Sequence, residues 1–401
     1  MLSPRAVRAF VNRPRKDWSR WKDISDQQLE ERASHLPVEP PIWRKLKKHQ
    51  KVCTVIGARK RRFAFFNDTG TGKTFLCIAL MEYFRVAGVN KRNLILVPNL
   101  LNKWEWADEG FEKHAPGVAY VVLTGSSKNK WQQIEDNPDA TAFIETYAGF
   151  VRMLCESKVD KRKGKKAKNR LVPITKLVKF AMKFFDGVYC DESTFLKNRA
   201  KLPFRLCNQL SKTAQVFFIL TATPFGRNAE DLWSQMFLVD RGETLGETLT
   251  LFRSAFYDAT TNYWGGFDYK FKKDGKKLLS SFLDHGSITY PANDADMPKV
   301  ARVPRHVSLG TTAEAYYERA KSQIIAAHGN YQETKNAFLR MRQISSGFIG
   351  YNDDETGLKA KFEFDTNPKL ELLETVLSEI NPDYKVIVFH EFIYSGLVIS
   401  R

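Results

Sequence analysis

No apolar run in these 401 residues approaches the roughly 20 needed to span a bilayer, so no membrane partner is expected. The basic N-terminus, MLSPRAVRAFVNRPRK, lacks the apolar core of a secretory signal, while its charge leaves an organelle transit peptide open. Cysteine is sparse and scattered. Cys53, Cys77, Cys155, Cys190 and Cys207 form no C-x-x-C pair and have no histidine ladder beside them. That excludes a disulfide framework and a zinc module, and reads as reduced thiols in a cytosolic-type compartment. Acidic residues are in deficit, 45 against 63 Lys and Arg, for a net charge of +18. An excess of that size favours a polyanionic partner, the alternative being a basic, solvated surface. What is present argues for a folded chain. At 43% hydrophobic and 13% aromatic it is no disordered tail, and its length suits two or three domains.

The stretch that organises the rest is Phe63–Leu80, FAFFNDTGTGKTFLCIAL. A run of large apolar residues ends in a glycine-containing turn and continues into a helix former. A strand feeding such a turn points backbone N–H groups and a helix N-terminus at an anion, with a lysine for charge. Gly70, Thr71 and Gly72 make the turn, Lys73 supplies the charge, and Thr74 is placed to reach Mg²⁺ through its hydroxyl. The strict pattern G-x-x-x-x-G-K-[ST] has Gly where this chain has Asn67. Upstream, Gln50 could read an adenine edge, since its amide both donates and accepts; the alternative is an ordinary surface glutamine.

After the loop, strand-like runs at Leu94–Val97, Ala119–Leu123, Thr141–Ile144, Val188–Cys190 and Val216–Leu220 alternate with helix-like segments at Thr74–Arg85, Leu100–His114 and Lys176–Phe185. That alternation predicts an α/β fold, a parallel sheet covered on both faces. Ligands of such sheets bind beyond the carboxyl ends of the strands. One strand ends in Asp191-Glu192. Asp191 suits an Mg²⁺ ligand, and Glu192 suits the base that polarises water for attack on a γ-phosphate. Acids favouring a helix N-terminus are the alternative. The next strand ends in Thr221-Ala-Thr223-Pro224, hydroxyls that can link the nucleotide site to a moving part, or plain turn chemistry. Asp160–Arg170, with seven Lys and Arg, is either a solvated block or an insertion that meets phosphates. Past Asp240 the alternation weakens; helical stretches follow at Thr312–Ala326, Glu333–Ser346 and Pro368–Ile380, then a strand at Lys385–Phe389.

Together these motifs resemble the Swi/Snf-type ATPases of helicase superfamily two, over roughly residues 40–401. Asn67-Asp-Thr-Gly70-Thr-Gly72-Lys73-Thr74 is similar to that family's D-E-M-G-L-G-K-T, and Leu46–Gln50 to its glutamine motif. Leu94–Pro98 with Leu100, Leu101 and Trp104 resembles a segment that tracks one DNA strand. Phe143–Tyr147 resembles I-T-S-Y; Asp191–Thr194 with Leu196-Lys197-Asn198 resembles D-E-A-H…I-K-N; Thr221–Pro224 with Glu230–Trp233 resembles T-G-T-P…E-L-W. Leu339–Gly347, Asn367–Leu370 and Lys385–Phe389 are similar to the opening of a second lobe.

The resemblance implies a P-loop NTPase fold. Residues 1–40 are expected as an N-terminal extension, 41–240 as a RecA-like lobe, 241–300 as a helical insertion, and 301–401 as the start of a second RecA-like lobe. ATP and Mg²⁺ are the implied cofactors and double-stranded DNA the implied partner, with Pro98, Trp104, Lys197 and Asn198 on the DNA side and Thr221 and Thr223 in coupling. Two departures stand out. Ser193-Thr194 replace the family's Ala-His, and Gly226-Arg227 replace Gln-Asn. The arginine that crosses to the γ-phosphate is assigned to no residue, so the chain is expected to be truncated, with a partner or missing segment completing the site. A double-stranded-DNA translocase is the leading reading. A strand-separating helicase or restriction-type motor, for which no nuclease motif is found, and a non-catalytic ATP- and DNA-binding module are the alternatives. The expected setting is the cytoplasm of a bacterial or phage-infected cell, or the nucleus of a eukaryotic one.

Overall fold

The apolar runs become neighbouring strands of one sheet because each is hydrophobic on both faces. In chain order the strands are β1 (Arg62–Phe65), β2 (Asn93–Val97), β3 (Tyr120–Val122), β4 (Ala142–Thr146), a separate hairpin of β5 (Cys155–Asp160) and β6 (Lys168–Pro173), β7 (Gly187–Cys190) and β8 (Val216–Leu220). A second hairpin, β9 (Tyr257–Thr261) and β10 (Phe267–Phe271), precedes the short β11 (Ser287–Ile288). The computed structural model describes residues 3–160, 168–225, 228–263, 265–292, 301–326, 331–352 and 359–400. The chain divides into two compact units, Met1–Pro298 and Lys299–Arg401.

In the first unit seven strands lie in the order β11-β1-β8-β7-β2-β4-β3, every neighbouring pair parallel. Strand residues alternate between two cores. Ala64, Leu94, Leu96, Phe143, Val188, Phe217 and Ile219 face one; Phe63, Phe65, Ile95, Val97, Ile144, Tyr189 and Phe218 face the other. Helices Lys48–Lys60 and Lys73–Val86 cover the second face. Helices Tyr147–Leu154, Leu202–Leu210 and Glu230–Asp240 help cover the first. Burying each large side chain contributes roughly 1.5–3 kcal/mol, and the sheet is dense with them.

Residues 1–40 contribute to these cores. Trp18, Trp21 and Ile24 are buried in the same cluster as Phe63 and Phe65, and Phe10 meets Phe282 edge to face at 5.4 Å. The stretch 241–300 supplies helices Leu249–Phe256 and Gly275–Gly286 to the opposite core. It then supplies β11, the sheet's edge. The basic stretch Asp160–Arg170 spans a hairpin whose tip, 161–167, lies outside the described residues, as do Gly226 and Arg227.

The second unit holds helices Thr311–Ala326 and Tyr331–Ile344, the hairpin of β12 (Phe348–Asn352) and β13 (Lys359–Glu363), and helices Pro368–Ser378 and Ile393–Ile399. Ala313, Ala320, Ile344, Ile349 and Phe364 form its small core. The strand expected at Lys385–Phe389 is absent: those residues carry no regular structure, and Ile387 and Phe389 are 77% and 92% exposed. A strand exists by its ladder, and no described strand runs beside this one.

Candidate nucleotide site

Strand order brings the distant motifs together. β1, β8 and β7 are adjacent and parallel, so the phosphate-type loop, Thr221–Pro224 and Asp191-Glu192 leave the sheet at the same carboxyl edge.

The loop's shape rests on its glycines. Gly70 and Gly72 have φ of +80° and +74°, the left-handed region where a side chain is strained. A Cβ on Gly72 would also collide with the Gln50 amide. Helix Lys73–Val86 starts immediately after, so its first N–H groups open toward the loop. Lys73 Nζ donates to the carbonyls of Asn67 (3.0 Å) and Asp68 (3.1 Å). Thr71 is buried and ties its hydroxyl to the Asp68 carbonyl at 2.7 Å.

Two residues of helix Lys48–Lys60 hold the loop from below. His49 Nε2 donates to the Thr71 carbonyl at 2.8 Å, which places the proton on that nitrogen. Gln50 Nε2 donates to the Thr71 and Gly72 carbonyls, each at 3.3 Å, and Gln50 Oε1 accepts from Lys47 N at 2.9 Å. The glutamine singled out as an adenine reader thus has its amide turned onto the loop backbone.

Asn67, in the place of a glycine, uses its side chain. Its Oδ1 accepts from Tyr290 N at 3.0 Å, while Asp68 Oδ2 accepts from Ala292 N at 3.0 Å. Phe66 N and Asp68 N donate to the carbonyls of Ile288 and Tyr290, both at 2.9 Å. The loop's entry is therefore stitched to the chain leaving β11, a partnership with no sequence signal because it joins residues more than two hundred positions apart.

Asp191 follows β7. Its Oδ1 accepts from Glu192 N at 3.0 Å and its Oδ2 from the indole of Trp106 at 2.8 Å. Burial pushes the carboxyl above its ordinary range; the Trp106 hydrogen bond and the Lys73 charge pull it back, and Glu192 raises it. Glu192 has φ +46° and ψ +59°. Of the non-glycine residues with positive φ among those described, Arg61 and Arg241 end helices, where that conformation is ordinary, and Glu192 does not. Such a residue costs on the order of 1–3 kcal/mol and clusters at functional sites. Its Oε2 accepts the Thr221 hydroxyl at 2.8 Å, and Thr223 N donates to Thr221 Oγ1 at 3.2 Å.

Ser193, where the resemblance has Ala, donates to Gln235 Oε1 at 2.6 Å, and Gln235 Nε2 donates to the Asp231 carbonyl at 2.9 Å. Thr194, where it has His, reaches the Glu192 carbonyl at 3.5 Å, the outer limit of a hydrogen bond. Pro98 leaves the end of β2, half-buried, and Trp104 stands 51% exposed with Leu100 and Leu101 on the helix that follows. Lys197 is exposed, and Asn198 Oδ1 accepts from Ala200 N at 2.9 Å within its turn.

Thr74 and Asp191 are hard oxygen donors of the kind Mg²⁺ takes, one or two protein oxygens beside substrate phosphates. Each Asp191 oxygen keeps acceptor capacity after its one hydrogen bond, and a cation would offset the burial that raises this carboxyl. The residues fit the ion. No cluster of three or more His, Cys, Asp or Glu that could cage a metal occurs among the described residues.

A family model, the SNF2-related domain, matches residues 38–345. The chain belongs to that family. Among relatives of this SNF2-related chain is protein p41 of Acyrthosiphon pisum secondary endosymbiont phage 1, 24% identical over 339 residues. That match takes in 80% of this chain and 66% of the relative, so the chain spans just under two thirds of the relative's length. Of solved structures, the Sulfolobus solfataricus SWI2/SNF2 ATPase core in complex with dsDNA is 19% identical, with a TM-score of 0.47 over 91% of this chain and 69% of that one. The Pyrococcus furiosus Hef helicase domain is 13% identical, with a TM-score of 0.40 over 73% of this chain and 51% of its own.

Proposed function

We propose that this SNF2-related chain binds Mg²⁺-ATP at the carboxyl edge of its sheet and couples hydrolysis to movement on double-stranded DNA. The observation that carries the reading is the convergence of Lys73, Asp191, Glu192 and Thr221 at the ends of three adjacent parallel strands.

In this reading the N–H groups of Gly70–Thr74 and the helix N-terminus receive the phosphates. Lys73 exchanges two neutral carbonyls for phosphate oxygens, which are stronger, charged acceptors. Thr74 and Asp191 hold Mg²⁺, which when bound neutralises charge on the phosphates. Glu192 takes the proton from the attacking water, and Thr221 fixes its carboxylate. The +18 charge supports a salt-sensitive, sequence-independent grip on DNA phosphates, with Pro98, Trp104, Lys197 and Asn198 on the DNA side in this reading.

Equilibrium binding of a fluorescent ATP analogue to the 401-residue chain and to Lys73→Ala tests the site. Mg²⁺-dependent binding lost in the variant supports it; binding unchanged in the variant overturns it. A strand-displacement assay alongside separates translocation from unwinding, since displaced strand would replace the translocase with a helicase.

A further inference from the structure

Trp106 is 2% exposed and lies on the π-helical segment Glu105–Glu112. Its indole N–H can only donate, and a buried indole seeks an acceptor. Here the acceptor is a carboxylate oxygen of Asp191 at 2.8 Å, the side chain assigned above to the metal. The same segment meets the other assigned ligand. Gly110 packs so closely that a Cβ on it would stand 3.1 Å from Thr74 Cγ2 and 3.3 Å from Ile78 Cδ1. One π-helical segment thus touches both residues, and π-helical turns are rare and concentrate at functional sites.

The segment continues without a break from helix Leu100–Trp104. Two positions apart on a helix are about 200° apart around its axis. Trp104 therefore faces solvent, 51% exposed beside Leu100 and Leu101, while Trp106 faces Asp191. Thr194 makes a marginal side-chain hydrogen bond to the Glu192 carbonyl, whereas this helix places a hydrogen bond directly on the Asp191 carboxylate.

We infer that Trp106 is a positioning residue that holds Asp191 for the cation, and that the helix Leu100–Glu112 relays the exposed Leu100–Trp104 surface to the metal site. The inference rests on the ATPase reading. Hydrogen-bond partners of metal ligands typically contribute 10–100-fold to metal affinity.

The test is an Mg²⁺ titration of fluorescent ATP-analogue binding to the full chain, to Trp106→Phe and to Trp131→Phe. Trp131 donates its indole N–H to the Met153 carbonyl at 3.2 Å, away from Asp191, and controls for the loss of a tryptophan donor. Trp106→Phe should bind metal-free nucleotide as the parent does and need about 10–100-fold more Mg²⁺, with Trp131→Phe unchanged. Duplex DNA should sharpen the parent's Mg²⁺ response and leave that of Trp106→Phe unmoved. A parental Mg²⁺ dependence in Trp106→Phe, or an equal shift in Trp131→Phe, overturns the inference while the ATPase reading stands. No Mg²⁺-nucleotide binding by the parent overturns both. Should Trp106→Phe melt below the assay temperature, Gly110→Ala presses on Thr74 from the same segment and should raise the Mg²⁺ requirement too. An unchanged requirement there overturns the inference.

Discussion

Thr221 donates its hydroxyl to Oε2 of Glu192 at 2.8 Å, so the end of β8 fixes the carboxylate at the end of β7. Thr221 is fully buried, and its oxygen also receives Thr223 N. Removing the hydroxyl with Thr221→Val should leave nucleotide affinity within about twofold and lower kcat about tenfold or more, since a hydrogen bond to a charged group is worth about 1.5–3 kcal/mol. Steady-state kinetics beside equilibrium binding separates the two; a loss confined to affinity would contradict it.

Gln50 grips the loop carbonyls of Thr71 and Gly72. Gln50→Ala should therefore weaken ATP and GTP binding alike, by about tenfold for two lost hydrogen bonds. Competition between the two nucleotides checks this. A loss specific to ATP would return Gln50 to reading the adenine.

Glu145 carries a different consequence. It stands where the resemblance has threonine, 1% exposed, paired with Lys103 at 3.1 Å and with Lys130. Burial pulls the Lys103 ammonium below its ordinary range, and Glu145 partly restores it. Glu145→Gln leaves two lysines without their counter-charge and should cost about 3–5 kcal/mol, seen as a lower denaturation midpoint. Glu145→Gln with Lys130→Met should recover part of that loss. Equal midpoints for the single variant and the parent would contradict the pairing.

The sheet was legible because each strand is apolar on both faces and each is followed by a helix. That Lys73, Asp191, Glu192 and Thr221 meet at one edge of the sheet was legible because each lies just beyond the carboxyl end of a strand, the edge where ligands of such folds bind. Trp106 was passed over for its neighbour Trp104, since nothing local tells a buried indole from an exposed one when the π-helical geometry is unknown. His49, Asn67 and Tyr290 escaped for another reason: they act through backbone partners distant in sequence. The expectation at Lys385–Phe389 shows the limit of local reading. Its apolar pattern is that of a buried strand, and such a pattern becomes a strand through pairing.

The most direct test of the central claim is ATP hydrolysis by the 401-residue chain with and without duplex DNA, against Glu192→Gln. The account predicts hydrolysis that rises with DNA, falls with salt, and drops about 10²-fold or more in the variant, the usual contribution of a general base. Turnover indifferent to DNA, or equal in Glu192→Gln, would contradict it.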